Sequence, residues 1–507
     1  MAAAPHGRGP TGHPWIERCW STPSGAVVAE AAAGLEPAAV FARLAGLRHA
    51  VWLDSSLPDA AVADAPRLGR HSFVAADPIH SVHVDADVSA AGADARSIAA
   101  ALAAIRRMLG ELACTTIPGL PPFQGGLAGL LSYECGLAVL GIEPPTVRPA
   151  GVPLVSLHAY DVVFAYDHDL GRGWFISQGV PARGPEQRRV RAEARLEAVL
   201  EAASASTRGP VGTAAPSPGH PLPGHPDVAS SHSREDYLRM VQAGVDYVRA
   251  GDVFQANLAQ RFAMPAAVDP LELLARARQL NPAPFGGYFD AGAVRIVSMS
   301  PERFLQVAGR TVRMHPIKGT RRVLSSPEAD LFAGDDLEAS GKDRAENVMI
   351  VDLVRNDLAR VCEPASVRVE ALCRRERYRY VQHLVSIVSG RLRPGLGGLD
   401  AVLAAIPAGS VTGAPKHRAC EIISQLEGEA RGAYCGSLGY LGFDGSVDLN
   451  LLIRTFVVGA AGVSFAAGGG VTARSDPAAE HAESLHKAEG LLRVLESLGL
   501  APPGPAA

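Results

Sequence analysis

The 507-residue sequence predicts a mixed α and β protein whose longest amphipathic helices lie late in the chain. Short apolar runs such as 50–54 (AVWLD) and 156–167 (SLHAYDVVFAYD) have the length and residue types of β-strands. Segments 96–112 and 185–203 are rich in Ala, Arg and Leu, which favour helices. From about 234 to 500 helical and β-rich segments alternate, so we expect neither an all-α nor an all-β fold.

Three helices in the second half of the chain have clear boundary signals. The first is predicted over 341–361. The second begins near residues 414–415 and ends before Gly428, with Pro in its opening turn and Gly just past its end. The third begins at Asp476, an N-cap residue followed by Pro477, and continues with apolar residues at helical spacing.

Composition argues against several functional classes. The chain has 48 Lys and Arg against 52 Asp and Glu, a balance that disfavours nucleic-acid binding. Its seven cysteines form no C-x-x-C pair, which disfavours a zinc site or a disulfide scaffold. No secretory signal is visible, and the uncharged stretch 455–473 contains five glycines, so it is predicted to be two strands and a turn. We therefore expect a soluble, cytoplasmic protein with no nucleic-acid or membrane partner.

Local composition divides the chain into four regions. Residues 1–20 are predicted to be a loose N-terminal tail, and 21–203 an N-terminal region of short strands and Ala-rich helices. Residues 204–233 are crowded with Pro, Gly, Ser and His, as in an interdomain linker or a long loop. Residues 234–500 form the second large region, in which the chemistry-bearing motifs lie.

Two of the late helices present carboxylate clusters. Asp343 and Glu346 lie three residues apart on the first helix, and Glu480 and Glu483 do so on the third, with Lys487 four residues further on. Residues at these spacings share one helix face. Two such faces brought together would supply oxygen ligands for Mg²⁺. On spacing alone, solvated helix faces with a Glu–Lys pair remain the simpler interpretation.

Two further features could bind or attack a substrate. The run 466–470 (AAGGG) follows a predicted strand, and backbone N–H groups in such a loop can hold a carboxylate or a phosphate. It matches neither nucleotide-binding glycine motif. Lys318 lies between Ile317 and Gly319, where burial would lower its pKa and free the amine as a nucleophile. Taken alone, an ordinary turn and a surface lysine are the simpler interpretations.

The motifs around these residues together resemble the chorismate-utilising enzymes. They occur in the family's order over nearly all of residues 234–490 and over part of the N-terminal half. The motifs are SPERF (300–304), PIKGTRR (316–322), DRAENVMIVDLVRNDLARV (343–361), VQHLVS (381–386), GSVTGAPK (409–416), RGAYCGSLGY (431–440), IRT (453–455) and SDPAAEHAESLHKA (475–488), preceded by WLDSS (52–56), GRHSFVAADP (69–78) and PFQGGLAGLLSYE (122–134). The resemblance implies an α+β fold of two antiparallel β-sheets packed as a central sandwich with helices outside, the active site lying in the C-terminal half.

Two positions indicate a branch of this family. Gln255 stands where the water-adding members, the isochorismate and salicylate synthases, carry a general-base lysine. Anthranilate synthases typically read PIAGT, whereas this sequence reads PIKGT with Lys318. That lysine, with ENVMIVDL (346–353), resembles aminodeoxychorismate synthase component I, which makes 4-amino-4-deoxychorismate for p-aminobenzoate and folate synthesis. An anthranilate synthase component I and a non-catalytic binder of aromatic metabolites are the alternatives.

The resemblance also implies roles for individual residues. Lys318 would be the covalent nucleophile at C2 of chorismate, and Glu302 the general acid that assists departure of the C4 hydroxyl. Glu346 and Glu483 would hold Mg²⁺, supported by Asp343 and Glu480. The remaining expected residues bind substrate: Tyr434, Arg454, Gly468, Gly469, Gly470 and Lys487 at its carboxylates, and His383, Ser410 and Thr412 around its ring.

A partner and a possible second ligand follow from the same resemblance. The chain contains no G-x-C-x-G glutaminase motif, so ammonia is expected from a separate glutamine amidotransferase subunit, aminodeoxychorismate synthase component II. WLDSS, with Ser55, and segment 281–289 match regions that hold tryptophan in relatives. Asp54 replaces the more familiar Glu there, so tryptophan binding and ordinary core packing both remain open.

Overall fold

The computed structural model describes residues 12–55, 68–86, 92–205, 219–323, 326–377 and 381–500. These residues contain eleven α-helices: α1 (Pro37–Leu44), α2 (Ala93–Glu111), α3 (Tyr133–Leu140), α4 (Pro185–Ala205), α5 (Arg234–Ala250), α6 (Pro270–Leu280), α7 (Pro327–Ala339), α8 (Gly341–Ala359), α9 (Gly398–Ala405), α10 (Lys416–Glu427) and α11 (Pro477–Ser497). None of these helices is both long and apolar enough to cross a lipid bilayer.

The same residues contain twenty-four strands in two sheets. The strands are β1 (Ile16–Ser21), β2 (Val27–Ala31), β3 (Val51–Asp54), β4 (His71–Ala75), β5 (His80–Val84), β6 (Gly126–Leu131), β7 (Val155–Tyr160), β8 (Val162–Asp167), β9 (Arg172–Ser177), β10 (His220–Leu222), β11 (His225–Ser230), β12 (Gln255–Met264), β13 (Phe285–Asp290), β14 (Val294–Ser300), β15 (Arg303–Ala308), β16 (Thr311–Met314), β17 (Ile317–Arg322), β18 (Arg368–Arg377), β19 (Val381–Arg391), β20 (Gly413–Ala414), β21 (Ser437–Gly442), β22 (Val447–Asn450), β23 (Thr455–Gly459) and β24 (Gly462–Val471).

The two sheets are antiparallel and pack face to face. The first has fourteen strands in the order β1-β2-β9-β8-β4-β3-β13-β14-β23-β24-β12-β11-β10, with β20 paired to β12. The second has ten in the order β17-β19-β16-β15-β22-β21-β6-β7-β5, with β18 paired to β19. Val51 and Phe289 of the first sheet share one buried apolar cluster with Leu130 and Leu438 of the second. The predicted α+β sandwich is therefore confirmed.

Helices cover both outer faces of the sandwich. Leu196 of α4 and Leu495 of α11 belong to the apolar cluster on the first sheet, and Ile105 of α2 and Ile350 of α8 to the cluster on the second. Each helix buries its apolar stripe against a sheet whose inner face is already covered, so both sheets are buried on two sides. This explains strands such as β6 and β8, in which every residue is buried.

The predicted N- and C-terminal regions form one body. Strand β3 lies between β4 and β13, and β6 pairs with β21, so both sheets contain strands from either side of the predicted linker. Two predicted boundaries were wrong. The end of the loose tail is edge strand β1, beside which Trp15 stacks on Phe175 at 6.1 Å. The end of the linker is the β10–β11 hairpin, held by buried Leu222 and Val228. Residues 1–11 and 206–218 lie outside the described part of the chain.

The three late helices form where the sequence predicts them, with ends that shift by at most two residues. Asp476 caps α11 by accepting the Ala479 N–H at 2.9 Å. Ser340 caps α8 in the same way, accepting the Asp343 N–H at 3.2 Å. Each cap fixes where its helix begins, and therefore which side chains face the rest of the molecule.

A buried ion pair joins four parts of the fold. The Arg431 guanidinium donates to both carboxylate oxygens of Glu427, at 2.9 and 2.6 Å, and to the carbonyls of Val411 and Asn257. Glu427 also accepts the Ala259 N–H at 2.9 Å. The pair thus fixes α10 and the loop after it against β12 and the 3₁₀ turn Gly409–Val411. With every charge paired, breaking one partner leaves the other buried and uncompensated.

We predict that Arg431→Met lowers the free energy of unfolding by about 3–5 kcal/mol, because Glu427 then keeps a buried charge without a partner. Urea denaturation followed by circular dichroism measures this change. The double variant with Glu427→Gln should be more stable than the single one. The matched control is Arg355→Met, which removes an exposed ion pair with Asp352 and should change stability by less than about 1 kcal/mol. Equal losses in the two single variants would contradict the prediction.

Candidate active site

A cavity of about 770 Å³ opens where β12, β17 and β24 meet α8 and α11. Its wall brings together residues that are distant in sequence, and most of the predicted site residues are among them. Those that line it are Glu302, Lys318, Asp343, Glu346, His383, Ser410, Tyr434, Arg454, Gly468, Gly470, Glu483 and Lys487. A cavity lined by so many ionisable groups of both signs is suited to a polar, charged ligand rather than to an apolar one.

Lys318 projects from β17 into this cavity. Burial lowers the pKa of its ammonium, and the nearby Lys487 lowers it further. Glu346, Glu302 and Glu483 act in the opposite direction, but the resulting pKa remains below that of an ordinary lysine. A larger share of the side chain is therefore the neutral amine at neutral pH, the form that can act as a nucleophile.

Glu302 follows β14 and is buried at the cavity wall. Burial raises the pKa of this carboxyl to about 7, although the Ser410 hydroxyl and Lys318 both favour its charged form. The Ser410 hydroxyl donates to Glu302 Oε1 at 2.7 Å, which fixes the direction of the carboxyl group. A carboxyl that still carries its proton near neutral pH can act as a general acid.

Arg454 adopts a backbone conformation that is strained for a residue with a side chain, with φ of 50°. Its guanidinium lines the cavity and makes no ion pair within the described residues. Burial alone lowers the pKa of this group. Tyr434 lines the same cavity, with its ring 5.7 Å from the guanidinium carbon of Arg431. A half-buried arginine without a counter-ion is suited to bind an anion such as a carboxylate.

The three glycines lie inside strand β24, not in a loop as predicted. One edge of the strand pairs with β12 throughout, whereas β23 covers the other edge only up to Ser464. Lys487 Nζ donates to the Gly468 carbonyl at 2.9 Å. The edge of β24 that is not paired with β12 therefore faces the site at Gly468. Because the N–H and C=O of a residue in a strand point the same way, the N–H groups of Gly468 and Gly470 also face the cavity.

Side chains packed against this strand explain why it needs glycine. A Cβ on Gly470 would lie 2.1 Å from the Gln255 amide nitrogen. A Cβ on Gly469 would lie 3.0 Å from Glu480 Oε2 and 3.4 Å from Glu483 Oε1. Gly469 does not line the cavity itself but gives room to the carboxylates of α11. Any larger residue at these positions would displace groups of the site.

The four predicted carboxylates come from α8 and α11. Glu483 pairs with Lys487 at 2.7 Å, which holds its pKa low against the effect of burial. Burial raises the pKa of Glu346 and of Glu480, and one carboxylate oxygen of each, Oε1 and Oε2 respectively, is buried without a hydrogen-bond partner. Asp343 lines the cavity beside them. Two orphaned carboxylate oxygens are a donor set that fits a hard cation such as Mg²⁺.

The described residues do not form a metal site made of protein ligands alone. In the described part of the chain, no three His, Cys, Asp or Glu side chains converge on one metal position. Mg²⁺ usually keeps several waters and takes only one or two carboxylates together with substrate oxygens. The arrangement therefore suits a cation that completes its coordination with substrate.

His383 lines the cavity as a neutral imidazole. The side chain is buried on β19, and burial lowers its pKa to about 3, with a further contribution from the positive charge of Arg454. It pairs across the sheet with Thr320, in the strand that carries Lys318. The ring therefore gives the wall a flat, uncharged surface beside the amine.

Four predicted residues do not line the cavity, namely Thr412, Ser55, Gly469 and Glu480. The Thr412 hydroxyl donates to the carbonyls of Ala408 and Gly409, at 3.0 and 3.3 Å, because it closes the 3₁₀ turn on itself. Ser55 is likewise absent from the wall, and its hydroxyl donates to the Pro284 carbonyl at 2.8 Å. Tryptophan binding at Ser55 stays a prediction.

Several residues of the wall were not predicted as site residues from the sequence, among them Asn257 and Lys342. Asn257 lies on β12 opposite Gly470, two residues after Gln255 and so on the same face of the strand. That spacing was a usable signal. Lys342 lies beside Asp343 at the start of α8, where nothing in the sequence distinguishes it from an exposed lysine.

Comparison with known proteins decides the family. The profile of the chorismate binding enzymes matches residues 58–493. The chain belongs to this family. Anthranilate synthase component 1 of Streptomyces coelicolor is 37% identical over 465 residues, covering 91% of this chain and 86% of that protein. Aminodeoxychorismate synthase component 1 of Klebsiella aerogenes is 38% identical over 379 residues, covering 74% and 78%. As a chorismate-binding enzyme, the chain thus has close relatives with two different activities.

The solved structures agree on the fold. Anthranilate synthase component I of Streptococcus pneumoniae superimposes with a TM-score of 0.67 at 28% identity, covering 85% of this chain and 94% of that one.

We predict that Glu302→Gln stabilises the protein in a pH-dependent way. A carboxyl whose pKa is about 7 in the folded chain but ordinary when unfolded lowers stability as pH rises between those values, because the folded state then holds a buried charge. At about 1.4 kcal/mol per pKa unit, the variant should gain about 3 kcal/mol over the native chain between pH 4.5 and pH 8.

Urea denaturation at both pH values measures this gain. The matched control is Glu111→Gln, at the exposed end of α2, which should show no such difference. A stability difference between Glu302→Gln and the native chain that is the same at both pH values would contradict a raised pKa.

Proposed function

We propose that the protein is the large subunit of an aminodeoxychorismate synthase, which converts chorismate and ammonia to 4-amino-4-deoxychorismate. The observation that carries this proposal is Lys318, an amine with a lowered pKa placed in the cavity among three carboxylates. A reaction that replaces the C4 hydroxyl by an amine without moving it on the ring is well served by a covalent intermediate, for which this lysine is the available nucleophile.

In the first step the Lys318 amine adds at C2 of chorismate while the double bond shifts and the C4 hydroxyl departs. Glu302 supplies the proton that converts this hydroxyl to water, and Ser410 holds the carboxyl in place. Lysine loses a proton as the C–N bond forms, so adduct and water are the products. Burial raises the pKa of Glu302 and lowers that of Lys318, so each group is shifted toward the neutral form that this step requires.

In the second step ammonia attacks C4 of the adduct, the double bond shifts back and the lysine amine leaves from C2. The net reaction consumes chorismate and ammonia and releases the amino product and water, with Lys318 restored. Two allylic displacements return the new substituent to C4, whereas direct attack of ammonia at C2 would give the anthranilate pathway's isomer. Splitting one displacement in two is the usual benefit of covalent catalysis.

Several donors in the cavity wall would bind the substrate's carboxylates. Arg454, with no protein counter-ion among the described residues, and the N–H groups of Gly468 and Gly470 are placed to bind one carboxylate. Lys487 and the Tyr434 hydroxyl add donors near them. His383 offers a neutral face for the ring. These contacts would orient C2 toward Lys318 before the chemistry begins.

We propose Mg²⁺ as the cofactor. Glu346 and Glu483 would hold it, with Asp343 and Glu480 as supporting carboxylates, and the unpartnered oxygens of Glu346 and Glu480 support this assignment. When bound, the cation would neutralise the ring carboxylate and polarise the conjugated system.

Ammonia is proposed to come from a partner glutamine amidotransferase. The relatives are named as component 1 of their enzymes, which indicates a second component for those proteins. Burial raises the pKa of the cysteine thiols in this chain, from Cys19 to Cys435, whereas a glutaminase nucleophile needs a lowered one. All seven thiols are free, which fits the cytoplasmic location and the folate-precursor role that we propose.

Anthranilate synthase component I is the second candidate. The relatives that match more than 90% of this chain, such as that of Streptomyces coelicolor, carry this name, whereas the aminodeoxychorismate synthase of Klebsiella aerogenes matches 74%. Both activities use the same substrate and the same ammonia. They differ in which ring carbon receives nitrogen, which an assay of products separates.

We predict that the purified chain, given chorismate, Mg²⁺ and concentrated ammonium salt at alkaline pH, forms a C4-aminated product. Liquid chromatography with mass spectrometry detects it, and p-aminobenzoate should appear only in the aliquot that also receives aminodeoxychorismate lyase. Fluorescent anthranilate formed without the lyase would instead establish the second candidate.

We further predict that chorismate without ammonia leaves a covalent adduct on Lys318. Its mass should be that of chorismate less one water, located by peptide mass spectrometry. Lys318→Ala and Lys318→Arg should both lack the adduct and lose C4 amination, because neither side chain supplies a neutral amine. Normal C4 amination by Lys318→Arg would show that only the positive charge matters and would overturn the covalent mechanism.

A further inference from the structure

Lys342 lies in an unfavourable place for a lysine. It is the second residue of α8, where the positive end of the helix dipole opposes a cation. Its ammonium lies 3.8 Å from Glu480 Oε1, at the wall of the cavity, and 59% of its side chain is exposed. The position therefore needs an explanation outside α8 itself.

The explanation is the carboxylate cluster that faces it. Burial lowers the pKa of its ammonium, but the four carboxylates of two helices outweigh that effect and raise it. They are Glu480, Glu346, Glu483 and Asp343. Within that cluster Glu483 already has a closer partner in Lys487, at 2.7 Å. Glu346 and Glu480 each keep one buried oxygen without a hydrogen-bond partner. Lys342 is thus a distant and incomplete counter-ion for carboxylates that remain under-satisfied.

We propose that Lys342 competes with the divalent cation for this cluster and so sets the affinity of the site for metal. The inference rests on the proposed function, in which Glu346 and Glu483 hold Mg²⁺. Without metal, the ammonium neutralises part of the cluster's charge. When a cation binds, the two positive charges repel, and the half-exposed side chain can swing toward solvent on its four-carbon stem.

A carboxylate cluster with a lysine beside it has a physical advantage over a cluster with no nearby cation. Several carboxylates close together in a partly buried site repel one another strongly. A lysine that stays nearby reduces this repulsion in the metal-free site. It also weakens binding of metal in the absence of substrate, which would leave the cation exchangeable between turnovers.

The test is binding of Mn²⁺ alone to the substrate-free full-length chain, followed by electron paramagnetic resonance of the free ion at fixed ionic strength. Removing a charge this close to the cluster in Lys342→Gln should tighten binding about three- to tenfold. Lys342→Arg should bind like the native chain. The matched control is Arg344→Gln, which removes the same charge from an exposed position on α8 and should change binding less than twofold.

Two further variants separate this inference from the proposed metal site. If the native chain binds Mn²⁺, Glu346→Gln and Glu483→Gln weaken it, and Lys342→Gln binds no tighter than native, the competition is overturned while the metal site stands. If neither the native chain nor Lys342→Gln binds Mn²⁺, both the metal assignment and the inference fail. Tighter binding by Lys342→Gln, with Arg344→Gln unchanged, supports the competition.

Discussion

The buried pair of Arg431 and Glu427 is the interaction on which the architecture of the site depends. A guanidinium taken out of water is tolerated only if every donor finds an acceptor, and here the acceptors come from α10, β12 and the 3₁₀ turn. Strand β12 and the 3₁₀ turn contribute Asn257 and Ser410 to the cavity wall, and the loop after α10 contributes Tyr434. The chain satisfies the pair and shapes the cavity wall with the same few segments.

Burial shifts the pKa values of the ionisable groups in this cavity wall. A low-dielectric surrounding favours the neutral form of acids and bases alike, so Glu302 holds its proton more tightly while Lys318 holds its proton less tightly. Burial thus shifts the proton donor and the nucleophile toward the neutral forms that the proposed step requires. On α11, the pKa of Glu483 is lowered despite burial because Lys487 lies 2.7 Å from it.

The sequence was a good guide to the elements and to the residues of the site, for identifiable reasons. Helix boundaries followed from local caps such as Asp476, and the motif residues Lys318, Glu302 and Glu346 meet in the cavity as the family resemblance implies.

What sequence could not supply depended on tertiary pairing. The glycines of 468–470 were predicted to form a loop because nothing in the local sequence indicates that they pair with β12. Thr412 faces its own turn because the 3₁₀ geometry offers its hydroxyl two nearby carbonyls.

The interleaving of strands from both halves constrains how this protein can be made. Strand β3 cannot pair with β13 until some 230 further residues have been synthesised, and β6 cannot pair with β21 until about 310 have been. During synthesis the N-terminal half therefore leaves the ribosome with open sheet edges that no nearby segment can cover. Folding dominated by such distant pairings is slow. The same topology means that the chain cannot be cut between its halves into two separately stable pieces, so any natural shortening or fusion of this enzyme has to occur at its ends or in surface loops.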